Sequence, residues 1–336
     1  MNEADLQAEF EQAARAAGGA VDLRLAVAGR AILLRFAGET AASALRPAFA
    51  HLEAGDGPAP SLTLQVWDSA TSEAERPALE AAPPGAGPSY YSEENGLRAL
   101  HQPAHDAFSV LAEESGRAWF WTRDLTRLPY WEYTAPFRHL LSWWLDAQGL
   151  LQVHGGAVGT AAGGLLLVGS GGSGKSTTAL ASLLDERLFY AGDDYVAVGS
   201  APATVHSLYC SGKVHRDDVQ RLPHLAAGLA DAGRPDEKGV VFVEAAFPGR
   251  CVAGFPLRAI VVPQVTDRRV AHARPGTPAE ALTALAPSTI FQLHPPAREA
   301  LAQMTRLVRT APAFVLELGA DVESIPAELL RLLEQL

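Results

Sequence analysis

Between Gly169 and Ser176 the chain reads GSGGSGKS, small residues at the spacing G-x-x-x-x-G-K-[ST], with the apolar run LLLV before it and TTALASLL after it. The chemistry that needs this composition is the holding of a nucleotide's phosphates. Backbone N–H groups must wrap around the phosphate oxygens, and only residues without bulky side chains let the chain approach so closely. Gly169, Ser170, Gly171, Gly172, Ser173 and Gly174 are the expected cradle. The helix that opens at Lys175 would turn its free N–H groups and positive dipole end toward the same phosphates. Lys175 adds a cation between the β- and γ-groups, Ser176 a hydroxyl for Mg2+, and Thr177 completes the binding stretch. ATP and Mg2+ are therefore the expected ligands, although ATPases, GTPases and kinases all use such a loop.

Two further groups could act on a phosphate held there. Asp193 and Asp194 stand between LFYAG and YVAV, at the end of a predicted strand, where ligands bind in open α/β sheets. Successive residues point in different directions, so one carboxylate can reach the metal while the other faces an incoming hydroxyl. His154, in LLQVHGGAVG, precedes Lys175 by 21 residues and is followed by two glycines that let backbone come near another group. By itself a histidine in an apolar strand is more often structural than catalytic.

Taken together, His154-Gly155-Gly156, the loop GSGGSGKS and AGDDYV resemble, in order and spacing, the kinase domain of HPr kinase/phosphorylase. That bacterial serine kinase has a fold akin to phosphoenolpyruvate carboxykinase. The likeness covers Gly149 to Val198 and thereafter only the general succession of strands. It implies that Asp194 is the base that takes the acceptor's proton, that Asp193 supports it, that His154 assists, and that Ser176 and Asp194 lie at Mg2+. The family's later signature brings a glutamate to magnesium and an arginine close by, whereas Leu208 to Val214 here reads LYCSGKV and lacks the glutamate. Lys213 and Lys238 are the candidate replacements for the positive charge, against the alternative of surface lysines, and Arg274 is the candidate counterpart of the family's basic loop. The segments ALAPSTIFQL (Ala284 to Leu293) and VLELG (Val315 to Gly319) look more like divergent HPr-kinase-like proteins of modified-peptide biosynthesis, including lasso-peptide precursor kinases.

The elements that must position these residues fall into two textures. Up to about residue 130 the pattern is strand-rich. A helix spans Asp5 to Ala17 and a hairpin joins Val21–Val27 to Ile32–Phe36. A strand follows at Ser61–Trp67, a Pro/Gly loop at Ala81–Ser89, and a hairpin at Phe108–Ala112 with Arg117–Thr122, which together suggest an antiparallel sheet. The helix Pro136–Ala147 marks the boundary, giving a domain over 1–134 for substrate or partner and a phosphate-loop domain over 135–336. From Gly149 short apolar strands alternate with helices: Leu150–Val158, Leu165–Val168, a helix at Ser176–Leu184, Leu188–Tyr190, Tyr195–Val198 and Arg258–Val262. The tail reads as a helix at Ala297–Arg309, a strand at Phe314–Leu318 and a helix at Ala327–Leu333. The expected fold class is α/β, a kinase domain of the HPr kinase/phosphoenolpyruvate carboxykinase type preceded by a smaller α+β domain. Trp143 and Trp144 are expected in a core between the domains, and Trp119, Trp121, Trp131 and Tyr133 in a core in preference to a peptide groove.

Composition narrows the partners. A net charge of -11, from 27 Lys plus Arg against 38 Asp plus Glu, opposes a nucleic-acid partner. No apolar run approaches the ~20 residues of a membrane helix. The acidic start MNEADLQAEF is unlike a secretory signal, and Cys210 and Cys251 form no disulfide or zinc pattern, so a reducing cytoplasm is expected. Three acceptor readings stay open: a serine of a peptide or protein, a small hydroxylated metabolite, or no acceptor at all in a nucleotide-gated peptide-binding module. Homo-oligomerisation is likewise open.

Overall fold

The structure, a computed structural model, describes residues 2–79, 82–83, 87–230, 238–292 and 299–336. The chain divides into two compact units, Met1–Ala147 and Gln148–Leu336. Both are mixed α/β.

The first unit starts with helix Glu3–Ala16. Its capping box has the Asn2 side chain accepting from Asp5 N–H while the Asp5 carboxylate accepts from Asn2 N–H. Leu6, Phe10, Ala13 and Ala14 recur at helical spacing and are buried with Trp67, Trp119 and Trp121. The helix thus covers one face of a seven-stranded sheet. Its strands are β1 (Ala20–Val27), β2 (Arg30–Ala37), β3 (Leu62–Asp68), β4 (Tyr90–Glu94), β5 (Leu97–Gln102), β6 (Ala107–Ala112) and β7 (Arg117–Thr122), in the order β1-β2-β3-β7-β6-β5-β4. The expected antiparallel sheet is corrected here: β3 pairs in parallel with both β2 and β7. The long connections on either side of β3 allow this, since a short hairpin can join only antiparallel neighbours. Trp119 and Trp121 lie in the core, but Trp131 is 43% exposed.

Helix Arg138–Ala147 belongs with this unit, so the division falls after it instead of at 134/135. Its Trp143 ring meets Tyr91 edge-on at 5.8 Å, and Phe137 just before it stacks on Phe49 and meets Phe120.

The second unit is built from β8 (Leu151–His154), β9 (Gly156–Thr160), β10 (Gly163–Leu167), β11 (Phe189–Gly192), β12 (Tyr195–Ser200), β13 (Ala203–Ser207), β14 (Ser211–Val214), β15 (Leu229–Ala230), β16 (Gly239–Phe242), β17 (Gly254–Val265), β18 (His272–Pro275) and β19 (Ala313–Leu318). Nine of them form one sheet along β11-β9-β10-β17-β13-β12-β8, with β19 beside β17 and β18 beside β19. β10, β17 and β19 run parallel and the rest pair antiparallel. Alternation along β10 sends Leu165 and Leu167 into one apolar cluster, with Leu180 and Leu329 from helices Lys175–Ala181 and Ser324–Glu334. Leu166 and Val168 enter another, with Leu285 and Met304 from helices Pro278–Gln292 and Ala300–Thr310. Helices therefore cover both faces, and the loop that follows β10 leaves the sheet at the carboxyl end of its parallel strands. A small separate sheet, β14-β16-β15, carries Lys213.

The single strand expected over Leu150–Val158 is instead broken at Gly155. A Cβ at that position would lie 2.6 Å from the Leu167 carbonyl oxygen, an approach that only glycine permits. β8 and β9 consequently join different parts of the sheet: β8 pairs with β12, and β9 with β10 and β11. One residue links strands far apart in the pairing order, so the sheet must curl around on itself.

Helix Ala300–Thr310 starts later than the predicted Ala297, and Ala297 and Arg298 lie outside the described residues, as do Leu293, Pro235–Glu237 of the PDEKG stretch, and Ala81 and Pro84–Ala86 of the predicted loop. Among the described residues no helix is long and apolar enough to cross a membrane.

The first unit holds a buried polar cluster. Glu132, 3% exposed, accepts from Gln102 at 3.0 Å and pairs with Arg138 at 2.8 Å, with His105 Nε2 at 3.6 Å. Burial holds the His105 imidazole below its ordinary value, against the pull of Glu132. A histidine kept neutral in the fold but able to charge in the unfolded chain contributes stability that is present above the unfolded value near 6.5 and lost as pH falls below it. Denaturant melts from pH 8 to pH 5 should therefore show stability falling toward acid, with a shallower fall for His105→Phe.

Candidate active site

The glycine loop leaves β10 through Val168 and enters helix Lys175–Ala181. Gly174 caps that helix in the left-handed region, at φ +100°, and a Cβ there would sit 2.2 Å from Leu318 Cδ1 of β19. The left-handed turn favours glycine, and a Cβ there would also displace the end of the Leu318 side chain. Lys175 is 7% exposed and folds its ammonium back to donate to the Gly169 carbonyl at 2.7 Å and the Ser170 carbonyl at 3.0 Å. Burial, and then the nearby Lys238, hold it below the ordinary lysine value, against the attraction of Asp193 and Asp194.

The curled sheet brings the other groups to this loop. Asp193 and Asp194 form the turn between β11 and β12, and Asp194 takes a left-handed φ of +68°, which aspartate tolerates better than most residues. Gly155 N–H donates to the Asp194 carbonyl at 2.9 Å, pinning the β8–β9 break onto the aspartate turn. His154 pairs across from Tyr195, and its Nε2 stands 3.8 Å from Asp194 Oδ1. Tyr195 flanks the His154 ring at 5.4 Å and donates to Gln292, while Thr289 accepts from His154 N–H. His154, Lys175, Ser176, Asp194, Lys213 and Lys238 line one cavity of about 200 Å³.

The two carboxylates differ. Asp193 is 1% exposed, and neither of its oxygens makes a well-formed hydrogen bond with a described residue. Burial and then the charge of Asp194 push it above the ordinary carboxylate value, while Ser176 and Lys213 pull the other way. Asp194 Oδ2 is in direct contact with the Lys213 ammonium. Burial acts to raise it too, but Lys213 and His154 outweigh that and hold it well below the ordinary range. Ser176 thus acts on Asp193, which joins Asp194 as a candidate carboxylate for the metal that the resemblance implies. Buried orphan oxygens next to a hydroxyl are a donor set that fits Mg2+. Among the described residues no three His, Cys, Asp or Glu side chains cluster as a metal cage.

A second hollow, of about 830 Å³, adjoins the loop at Gly169 and Ser170 and is walled by Val262, Pro263, Ala284 and Phe291. It shares Gly171 and Ser173 with the smaller cavity. Neither this hollow nor the burial of Lys213 was visible in the sequence; the one signal for Lys213 was a lone cation after glycine in an otherwise uncharged strand, LYCSGKV. Arg274 lines neither cavity and is ion-paired at 3.4 Å each with Glu280, which lines the larger hollow, and with Glu317. Cys210 is buried and Cys251 half-buried, both as free thiols.

No protein-family model matches this chain, and no curated protein matches it. Among solved structures it is distantly similar to the Hpr(Ser) kinase/phosphatase from Coxiella burnetii, with a TM-score of 0.31 and 10% identity over 55% of this chain and 88% of that one.

Replacing Gly174 by alanine forces a side chain into the left-handed region and into Leu318, at a cost of roughly 1–3 kcal/mol. Thermal melts should show that loss. Gly171→Ala, where an added Cβ meets nothing within 4 Å, should leave the melting temperature unchanged.

Proposed function

We propose that this protein is an ATP- and Mg2+-dependent kinase that transfers the γ-phosphoryl group to a serine hydroxyl of a peptide or protein. The observation that carries the reading is the meeting of His154 and Asp194 with Lys175 and Ser176 in one cavity, although they come from separate segments of the chain. A glycine turn with no ligand would have no need of that company.

In this reading the loop N–H groups and Lys175 hold the β- and γ-phosphates, and the hollow beside Gly169 receives the nucleoside; its volume and its mixture of apolar and polar walls suit a small-molecule site. Ser176 and Asp193 would hold Mg2+, which, when bound, neutralises phosphate charge. Asp194 faces the acceptor hydroxyl with His154 beside it. A carboxylate held well below its ordinary value is a weak base, so the chief task of Asp194 is to orient the hydroxyl and take its proton late. That suffices for a loose phosphoryl-transfer transition state, in which positioning and charge stabilisation do most of the work. The serine acceptor and the HPr-kinase type of fold rest on the sequence resemblance, the cytoplasmic setting rests on the sparse cysteines, and the strand-rich first unit is the proposed holder of the substrate.

One observation favours a second reading. Lys213 occupies the carboxylate that the acceptor needs, as suits a nucleotide-gated peptide-binding module in which no phosphate moves.

Transfer of labelled phosphate from ATP to serine-containing peptides separates the two. Asp194→Asn should lower kcat by about 10²-fold or more while calorimetry finds ATP affinity little changed. Equal phosphotransfer by wild type and Asp194→Asn would sink the kinase reading. A hydroxylated metabolite labelled in place of any peptide would instead overturn the serine acceptor.

A further inference from the structure

Lys213 has the placement of a functional group. It lies on β14, is 8% exposed, and shares the small cavity with the phosphate loop. The strand that carries it is locked against the loop's own helix: a Cβ on Gly212 would lie 2.6 Å from Leu180 Cδ2, and Tyr190 Oη donates to the Ser211 carbonyl at 2.8 Å. β14 in turn pairs with β16, Lys213 opposite Val240, just after Lys238. Lys213 is therefore delivered to the site by packing, unlike a surface lysine free to sample solvent.

Stability alone gives little reason for it. A buried ion pair loses hydration on both partners, and an apolar pair of similar volume commonly serves as well or better. Nor does it quench the aspartate pair evenly, because Asp193 is left with no well-formed hydrogen bond while Asp194 holds the ammonium. Phosphoryl transfer, on the other hand, needs cations around three equatorial oxygens that carry the transition-state charge. Lys175 approaches from the loop side, and the carboxylate side carries two negative groups that would repel the phosphoryl unless a cation intervened.

We propose that Lys213 is a second phosphate-engaging lysine, which exchanges Asp194 for an oxygen of the γ-phosphoryl group when ATP binds and thereby frees Asp194 for the acceptor hydroxyl. The inference rests on the transfer reading above. In the transfer step the acceptor oxygen forms a bond to the γ-phosphorus, the bond from that phosphorus to the β–γ bridging oxygen breaks with its electron pair leaving on ADP, and the hydroxyl proton goes to Asp194. Lys213 makes and breaks no covalent bond. The exchange also removes the obstacle that favours a non-transferring module, since the contact with Asp194 is surrendered to the substrate itself.

Calorimetric titration of the full chain with ATP and with ADP, magnesium present, reads the contact without any turnover. Loss of a charge-assisted hydrogen bond to the γ-phosphate should narrow the preference for ATP over ADP by roughly tenfold or more in Lys213→Met. Lys213→Arg should retain most of the preference, and Asp194→Asn, which releases the lysine, should keep or widen it. Should Lys213→Met fail to fold because it strands a half-buried carboxylate, the double variant Lys213→Met with Asp194→Asn removes both charges and must show the same narrowing. An ATP-to-ADP ratio in these variants equal to that of wild type overturns the proposal. If the ratio narrows but wild type labels no acceptor, the lysine contact stands and the kinase reading falls. If wild type labels a peptide but the ratio does not change, the reverse holds.

Discussion

The site depends on one backbone hydrogen bond, from Gly155 N–H to the Asp194 carbonyl. It joins the break between β8 and β9 to the turn between β11 and β12, at the point where the β8–β12 and β9–β11 ladders meet. Because Gly155 also packs against the Leu167 carbonyl at the end of β10, the same point ties both segments to the strand that launches the phosphate loop. His154, the aspartates and Lys175 are neighbours as a consequence of this three-way junction. A side chain at residue 155 would push the strands apart and separate the acidic pair from the cradle.

Within that junction burial governs the electrostatics. Two adjacent carboxylates in a poorly hydrated pocket cannot both be comfortable as anions, and the structure divides them: one is pushed up by burial and by its neighbour, the other is held down by Lys213 and His154. The division suits two tasks, a buried acceptor of a cation beside Ser176 and a charged group facing the cavity. The backbone strain at Asp194, whose φ of +68° is uncommon for any residue but glycine, belongs with this role: strained conformations gather where geometry serves function. The overall charge is -11, yet Lys175, Lys213 and Lys238 meet at this one pocket, together with Asp194 and Asp218.

The loop was legible because its chemistry is local. Glycines, a lysine and a hydroxyl at fixed spacing between a strand and a helix need only their immediate neighbours, and β10 and helix Lys175–Ala181 stand where periodicity put them. The hairpins of the first unit were readable for the same reason, their apolar alternation being a property of each strand alone. The parallel pairing of β3 was not, because pairing direction is set by where long connections return the chain. Helix Arg138–Ala147 was recognisable as a helix, yet its allegiance to the first unit is a matter of partners such as Tyr91 for Trp143. Gly155 looked like one of two permissive glycines within a continuous strand; nothing in LLQVHGGAVG says which one bends, since the bend answers to a carbonyl on β10.

By itself, the sequence determined the glycine turn between a strand and a helix, its place ahead of the acidic pair, and the α/β character of the second unit, because each follows from spacing and alternation over a dozen residues or fewer. Tertiary structure alone decided that Asp193 is buried without a well-formed hydrogen bond, that Lys213 is buried against Asp194, and that a hollow of about 830 Å³ opens beside Gly169. Those outcomes depend on residues dozens of positions apart meeting across a curled sheet, and which side chains meet is fixed by close packing and by the desolvation of charge, neither of which a linear pattern records.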